Sequence, residues 1–307
     1  MRIVFFGTPE FAVPSLSMLL NSGEEVSAVV TQTDKRRGRD RAATAPPVKE
    51  LALSSGIRTL QPRSIRDADF FHELERMAPD LIVVVAYGKI LPSQVLAIPS
   101  HGCINVHASL LPQYRGAAPI QWAILNGEKK TGITTMLMDE GLDTGPLLFQ
   151  EETDIAADDT AATLSKRLAS LGASVLMKTI GAIREGTLVP IPQSGVSSYA
   201  PPLKKDDGKL IWKKSAEEIQ NFVRGMYPWP CAYSSLNRER IKITRVAALD
   251  GTGMPGRIEK SKGELIVGSG KGLLSILELQ PEGKRFMTAG EFLQGRKLQE
   301  GIFFDEP

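Results

Sequence analysis

Residues 81–86, Leu-Ile-Val-Val-Val-Ala, narrow the folds open to this chain more than any other stretch. An unbroken apolar run has neither the alternation of a half-buried strand nor the one-sided stripe of a surface helix. It fits a strand buried on both faces, and such a strand needs helices on either side of its sheet. The amino-terminal stretch repeats the theme. Arg2–Phe6 reads as a buried strand ending at Gly7, Pro9 to Asn21 as a helix stopped by Gly23, and Val26–Thr31 as a second strand. Strand–helix–strand units predict an α/β, doubly wound, mostly parallel sheet of Rossmann-like type. The first turn, Gly7-Thr8-Pro9-Glu10-Phe11, lacks the Gly-x-Gly-x-x-Gly pattern, which argues against a nicotinamide dinucleotide there.

The pattern continues with helices over Val48–Ser55 and Asp67–Met77, a strand over Gly102–His107 and a helix over Pro119–Leu125. Strands follow over Gly132–Met138 and Pro146–Ile155, then a long helix capped by Asp159 or Thr160 and running to Glu185. Pro190, Pro192, Pro201 and Pro202 mark an extended, semi-rigid connection. We therefore expect a first domain over 1–189, a linker over 190–208 and a second domain over 209–307. Ser215-Ala216-Glu217-Glu218 is a capping box for a helix to about Arg224. Short strands near Ala232–Leu236, Ile241–Ala248, Gly256–Glu259, Glu264–Val267 and Gly272–Leu279, then a short helix from Thr288, suggest a small barrel of the OB type.

Charge is uneven between the two parts. Residues 1–202 hold 19 Lys+Arg against 21 Asp+Glu, and residues 203–307 hold 18 against 14. The second part is mildly basic and suits a polyanionic partner. No run is long enough to cross a bilayer, and the first residues reach Gly7-Thr8-Pro9 too soon for a signal peptide. Two distant cysteines, Cys103 and Cys231, and three unclustered histidines point to reduced thiols, no metal and a cytoplasmic location.

Three polar residues carry the chemistry. Asn105 and His107 are two apart in a predicted strand, so both side chains face one way at its end. Asp143 lies in a glycine-rich turn between two later strands. An amide and an imidazole can hold an oxygen that turns negative during acyl transfer. A carboxylate beside the imidazole favours its charged form and can move a proton through water. With no serine or cysteine nucleophile motif, the attacking amine must come from the substrate. Ser109, Leu110, Leu111 and Pro112, with residues 85–91, would wall a pocket for a planar ring. Lys35-Arg36-Arg37-Gly38-Arg39-Asp40-Arg41 holds five basic residues in seven, in a loop on the ligand edge of such a sheet.

Asn105-Val106-His107-Ala108-Ser109-Leu110-Leu111-Pro112, Arg115-Gly116-Ala117-Ala118-Pro119-Ile120-Gln121 and Asp143-Thr144-Gly145 resemble the 10-formyltetrahydrofolate-dependent formyltransferases. Gly7-Thr8-Pro9-Glu10-Phe11-Ala12, Thr31-Gln32, Val84-Val85-Ala86-Tyr87-Gly88 and Trp229-Pro230 extend the resemblance along nearly the whole chain, to the branch that uses initiator methionyl-tRNA. The resemblance implies that 10-formyltetrahydrofolate is the formyl donor. It implies that Asn105 and His107 polarise the formyl carbonyl and that Asp143 holds His107 and assists proton movement. Ser109, Leu110, Leu111 and Pro112 would line the folate site, with backbone near Tyr87, Gly88 and Leu91 and near Glu140 and Leu142 holding the pterin. Arg39 would meet the tRNA acceptor end, supported by Arg36, Arg37 and Arg41, in a monomer with no membrane partner. The family often has Pro where Thr33 stands. Relatives in the family that formylate a small amine, an amino-sugar nucleotide or glycinamide ribonucleotide, are the nearest alternative; they need neither basic feature.

Overall fold

A computed structural model of the chain describes residues 1–36, 43–296 and 298–304. They form two compact units. The first holds Met1–Pro119, Lys130–Asp154 and Ser165–Ala200; the second holds Ile120–Lys129, Ile155–Leu164 and Pro201–Pro307.

The first unit is built on a seven-stranded sheet in the order Leu147–Asp154, Lys130–Leu137, Cys103–His107, Leu81–Val85, Arg2–Gly7, Glu25–Val30, Thr59–Leu60. Pairing is parallel from Cys103–His107 through to Thr59–Leu60 and antiparallel at the other edge. Every residue of Leu81–Val85 is buried, as its unbroken apolar run requires. On one face Val4, Phe6, Ile82 and Val84 meet Phe70 and Leu74 of the helix Ala68–Met77. Each such side chain contributes about 1.5–3 kcal/mol when it leaves water. Phe6 meets Tyr87 edge-on with 5.1 Å between ring centroids.

From Arg2–Gly7 the chain adds strands outward on one side, then returns to Leu81–Val85 and builds the other way. The strand order thus reverses between these two neighbours, and the crevice beyond their carboxyl ends is where open α/β sheets bind ligands.

The proline-rich stretch after 187 is laid against the first unit. Ile191 bridges Leu147, and Tyr199–Ala200 pairs in parallel with Arg115–Gly116. Prolines remove backbone donors here, and side chains supply contacts in their place: Gln113 Nε2 donates to Val196 O at 2.6 Å and Ser198 Oγ accepts from Tyr114 N at 2.9 Å.

The second unit carries an antiparallel sheet in the order Ala232–Leu236, Glu239–Leu249, Leu273–Pro281, Leu265–Gly268, Ile258–Lys260, with Met287–Thr288 also pairing on Leu273–Pro281. Trp212, Ile219, Val223, Ile243, Leu274 and Phe304 share its core. The buried Trp212 ring lies 5.1 Å from that of Phe304 and satisfies its N–H on Ser234 Oγ at 3.0 Å. The helix Ala216–Met226 opens on the expected capping box: Glu218 N donates to Ser215 Oγ at 3.2 Å and Ser215 N to Glu218 Oε2 at 2.9 Å. Among the described residues no helix is long and apolar enough to cross a membrane.

Candidate active site

The strand Cys103–His107 lies between Leu81–Val85 and Lys130–Leu137, with Asn105 opposite Val84 and Met136 and His107 opposite Thr134. Its apolar members Ile104 and Val106 are buried. Strand alternation then sends Asn105 and His107 to one side, and Asp143 meets them there from the turn at 139–145. Asn105 Nδ2 donates to Asp143 Oδ1 at 3.2 Å. Gly116 N donates to Asp143 Oδ2 at 2.9 Å. His107 Nδ1 lies 3.6 Å from the same Oδ2. The other ring nitrogen, Nε2, is 2.9 Å from Tyr114 O. A carbonyl only accepts, so Nε2 carries a proton and donates it there. Both edges of the imidazole therefore face protein oxygens, in a ring only 5 % exposed.

The turn is shaped to deliver that carboxylate. Asp143 has φ of +52°, a left-handed conformation that costs a non-glycine residue energy unless its surroundings hold it. Asp139 Oδ1 gathers the turn by accepting from Gly141 N at 3.0 Å and Thr144 Oγ1 at 2.7 Å. Gly145 lies so close to the Leu137 carbonyl that any Cβ would collide with it. Gln193 Nε2 donates to both Asp143 O and Gly145 O at 2.8 Å.

The residues expected around a folate divide by exposure. Ser109 and Leu111 are buried, while Leu110 and Pro112 are partly exposed. Ser109 Oγ donates to Gln113 O at 2.6 Å. Thr134 ties this segment to the sheet, since Thr134 Oγ1 donates to Ser109 O at 2.6 Å and accepts from Leu111 N at 3.1 Å. Tyr87 and Leu91 turn their side chains into the core. Among the described residues the Tyr87 hydroxyl has no hydrogen-bond partner, and burial pushes its pKa up to about 12. What Tyr87 offers outward is backbone: its carbonyl accepts from Gln32 Nε2 at 2.8 Å. Gly88, Glu140 and Leu142 are exposed.

Of the basic loop, Arg36 sits on a two-residue strand, Lys35–Arg36, paired with Ala43–Thr44. Arg37, Arg39 and Arg41 lie outside the described residues. At the foot of the loop Lys49 Nζ donates to Asp34 Oδ1 at 2.8 Å and Gln61 Nε2 donates to the same oxygen. These bonds, the lysine first, hold the Asp34 carboxyl below its usual range.

A parallel sheet that reverses at the crevice, with an amide, an imidazole and a carboxylate gathered beside it and an antiparallel second unit after it, defines the class. The chain belongs to the formyl transferase family: the family's formyl transferase domain matches residues 1–180 and its C-terminal domain residues 202–297. Over 300 residues it is 56 % identical to "Methionyl-tRNA formyltransferase" of Thermodesulfovibrio yellowstonii, a match covering 98 % of this chain and 97 % of that one. It is 52 % identical to the protein of the same description from Caldanaerobacter subterraneus, over 98 % of this chain and 99 % of that one. In fold it is similar to WlaRD, a sugar 3N-formyl transferase solved with dTDP and 5-N-formyl-THF, at TM-score 0.70 and 22 % identity over 93 % of this chain and 99 % of that one. It is also similar to the methionyl-tRNA formyltransferase structure from Clostridium thermocellum, at TM-score 0.57 and 18 % identity over 80 % and 93 % of the two chains.

Several groups at the site escape sequence reasoning. The Tyr114 carbonyl and Gly116 N–H are backbone and leave no residue-type signal. Thr134 reads as one more β-branched strand residue. Gln193, in Pro-Gln-Ser-Gly, reads as linker.

Proposed function

We infer that this chain transfers a formyl group from 10-formyltetrahydrofolate to the amino group of methionine carried on initiator tRNA. The observation that carries the reading is its near-full-length identity, about half of all positions, with proteins described as methionyl-tRNA formyltransferase. The Asn105–His107–Asp143 cluster supplies chemistry to match. The crevice suits a folate, since the loops at the candidate site offer exposed backbone at Gly88 and at 140–142.

The donor supplies a formyl carbon, so a C–N bond forms to the incoming amine while the bond to the folate nitrogen breaks, and one proton passes from the former nitrogen to the latter. Asn105 Nδ2 donates to Asp143 and the His107 ring lies beside it, so a formyl oxygen entering there meets an amide donor already aimed at negative charge, with the imidazole alongside to polarise the formyl carbonyl. Asp143 holds the imidazole by its Nδ1 edge and relays the proton through water. The Tyr114 carbonyl fixes the ring's rotation by engaging Nε2. Ser109–Pro112 lines the folate side, and backbone at Tyr87–Leu91 and 140–142 meets the pterin edge. Arg39, with Arg36, Arg37 and Arg41, engages the acceptor end of the tRNA. The antiparallel second unit works as an OB-like tRNA-binding barrel, in a monomeric cytoplasmic enzyme.

The test is purified protein with the folate donor and methionine-charged initiator tRNA. Formyl-methionyl-tRNA should accumulate. Formylation only of a small amine such as an amino-sugar nucleotide would overturn the reading.

A further inference from the structure

The amide of Gln193 makes four hydrogen bonds at once. Its nitrogen donates to Asp143 O and Gly145 O, both at 2.8 Å. Its oxygen accepts from Arg115 Nε at 3.2 Å and Arg115 Nη2 at 2.6 Å. The assignment is unambiguous, because carbonyls cannot donate and a guanidinium cannot accept. Both N–H groups and both oxygen lone pairs are thereby used. No other side chain of this length presents two donors to one loop and two acceptor sites to another.

The two loops joined in this way are the two that frame the Asp143 carboxylate. Asp143 and Gly145 belong to the turn whose left-handed residue is Asp143 itself. Arg115 is followed by Gly116, whose N–H holds Asp143 Oδ2 at 2.9 Å. Arg115–Gly116 is also the segment paired with Tyr199–Ala200, farther along the stretch that carries Gln193. A carboxylate on a backbone at φ +52° points at Asn105 and His107 only while something opposes its relaxation, and Gln193 grips the carbonyl of that residue.

We propose that Gln193 is a positioning residue for formyl transfer, holding Asp143 against Asn105 and His107 by clamping the 143–145 turn to Arg115. It acts through Asp143, so the proposal rests on the catalytic reading given above for that residue. It also assigns the proline-rich stretch a part in the chemistry of the first unit, beyond joining it to the second.

The test compares Gln193→Met and Gln193→Glu in the full-length chain. Methionine keeps the length and loses all four bonds. Glutamate keeps the bonds to Arg115 and adds charge, yet turns an acceptor toward two carbonyls. Both variants should lose about tenfold or more in kcat, glutamate the more, with KM for the tRNA within about twofold of wild type. Melting temperature should hold best in Gln193→Glu, where the Arg115 pairing survives, so activity and stability move apart. The second readout needs no activity. The chain has three histidines, and the ring 15N signals of His107, assigned by their loss in His107→Asn, should shift in both variants in the direction seen for Asp143→Asn. His107 signals at their wild-type positions in both variants, or wild-type kcat in both, would overturn the proposal. General unfolding of both would also overturn it, by making Gln193 a stability residue. A wild-type protein that formylates no tRNA would sink the functional reading alone, since the His107 spectra still decide whether Gln193 positions Asp143.

Discussion

Replacing Asp143 by asparagine keeps the shape of the side chain and removes one charge and one acceptor. The two carboxylate oxygens serve two donors, Asn105 Nδ2 on Oδ1 and Gly116 N on Oδ2. An asparagine has one acceptor oxygen, so one donor then faces an NH2 group. A hydrogen bond to a charged group is worth about 1.5–3 kcal/mol. The imidazole edge 3.6 Å from Oδ2 loses its carboxylate neighbour as well. Because these are the interactions that grow as charge develops, most of the loss falls on the rate. We expect kcat to drop by about 10²–10⁴, the range that one acid–base group commands, or about 2.7–5.5 kcal/mol of barrier. The tRNA affinity should stay within about twofold, since the partners of the Asp143 carboxylate are Asn105, Gly116 and His107 and none is a candidate tRNA contact. Steady-state formylation of methionyl-tRNA gives kcat, and filter binding gives affinity. A kcat within about threefold of wild type, or a collapse of tRNA binding at unchanged kcat, would refute the reasoning.

Asn105→Ala should lower kcat by about 10²–10³, the usual cost of one donor to a developing oxyanion, with little change in melting temperature; equal activity would move the oxyanion contact elsewhere. Arg39→Ala should weaken tRNA binding and reduce the slope of log affinity against log salt by about one, read from titrations at several salt concentrations. Burial pushes the Cys103 thiol up to about 12 from an ordinary 9.0, and raises that of Cys231 as well. The folded state therefore holds the Cys103 proton more tightly than the unfolded chain does, so that contribution to stability is intact below 9.0 and is lost as pH rises toward about 12. Iodoacetamide at about pH 8 should leave both thiols unmodified by mass in the native protein and alkylate both in denaturant.

Much of the fold was legible because its elements are written in local pattern. The run at 81–85, the helix 68–77 opened by Asp67, and the capping boxes at Ser215 and Thr288 each carry their signal within a few residues. The antiparallel edge was less legible: Lys130–Leu137 inserts beside Cys103–His107 and runs against it, and nothing in a buried strand's composition states its direction. The stretch after 187 reads as linker because prolines break periodicity, yet the first unit captures it through the side chains of Gln113, Gln193 and Ser198.

At the candidate site the sequence alone determined that Asn105 and His107 share a face, since two residues of extended chain impose it. Asp143 was named from its motif, but its reach across 38 positions to Asn105 comes from the sheet placing one strand's end beside a later turn. Only tertiary structure decided what surrounds that carboxylate: the Tyr114 carbonyl on the imidazole, the Gly116 amide on the acid, and Gln193 clamping the turn. The reason is physical. Periodicity and residue type record which side chains prefer water, whereas these contacts are made by backbone groups and one amide whose partners depend on where distant chain segments meet.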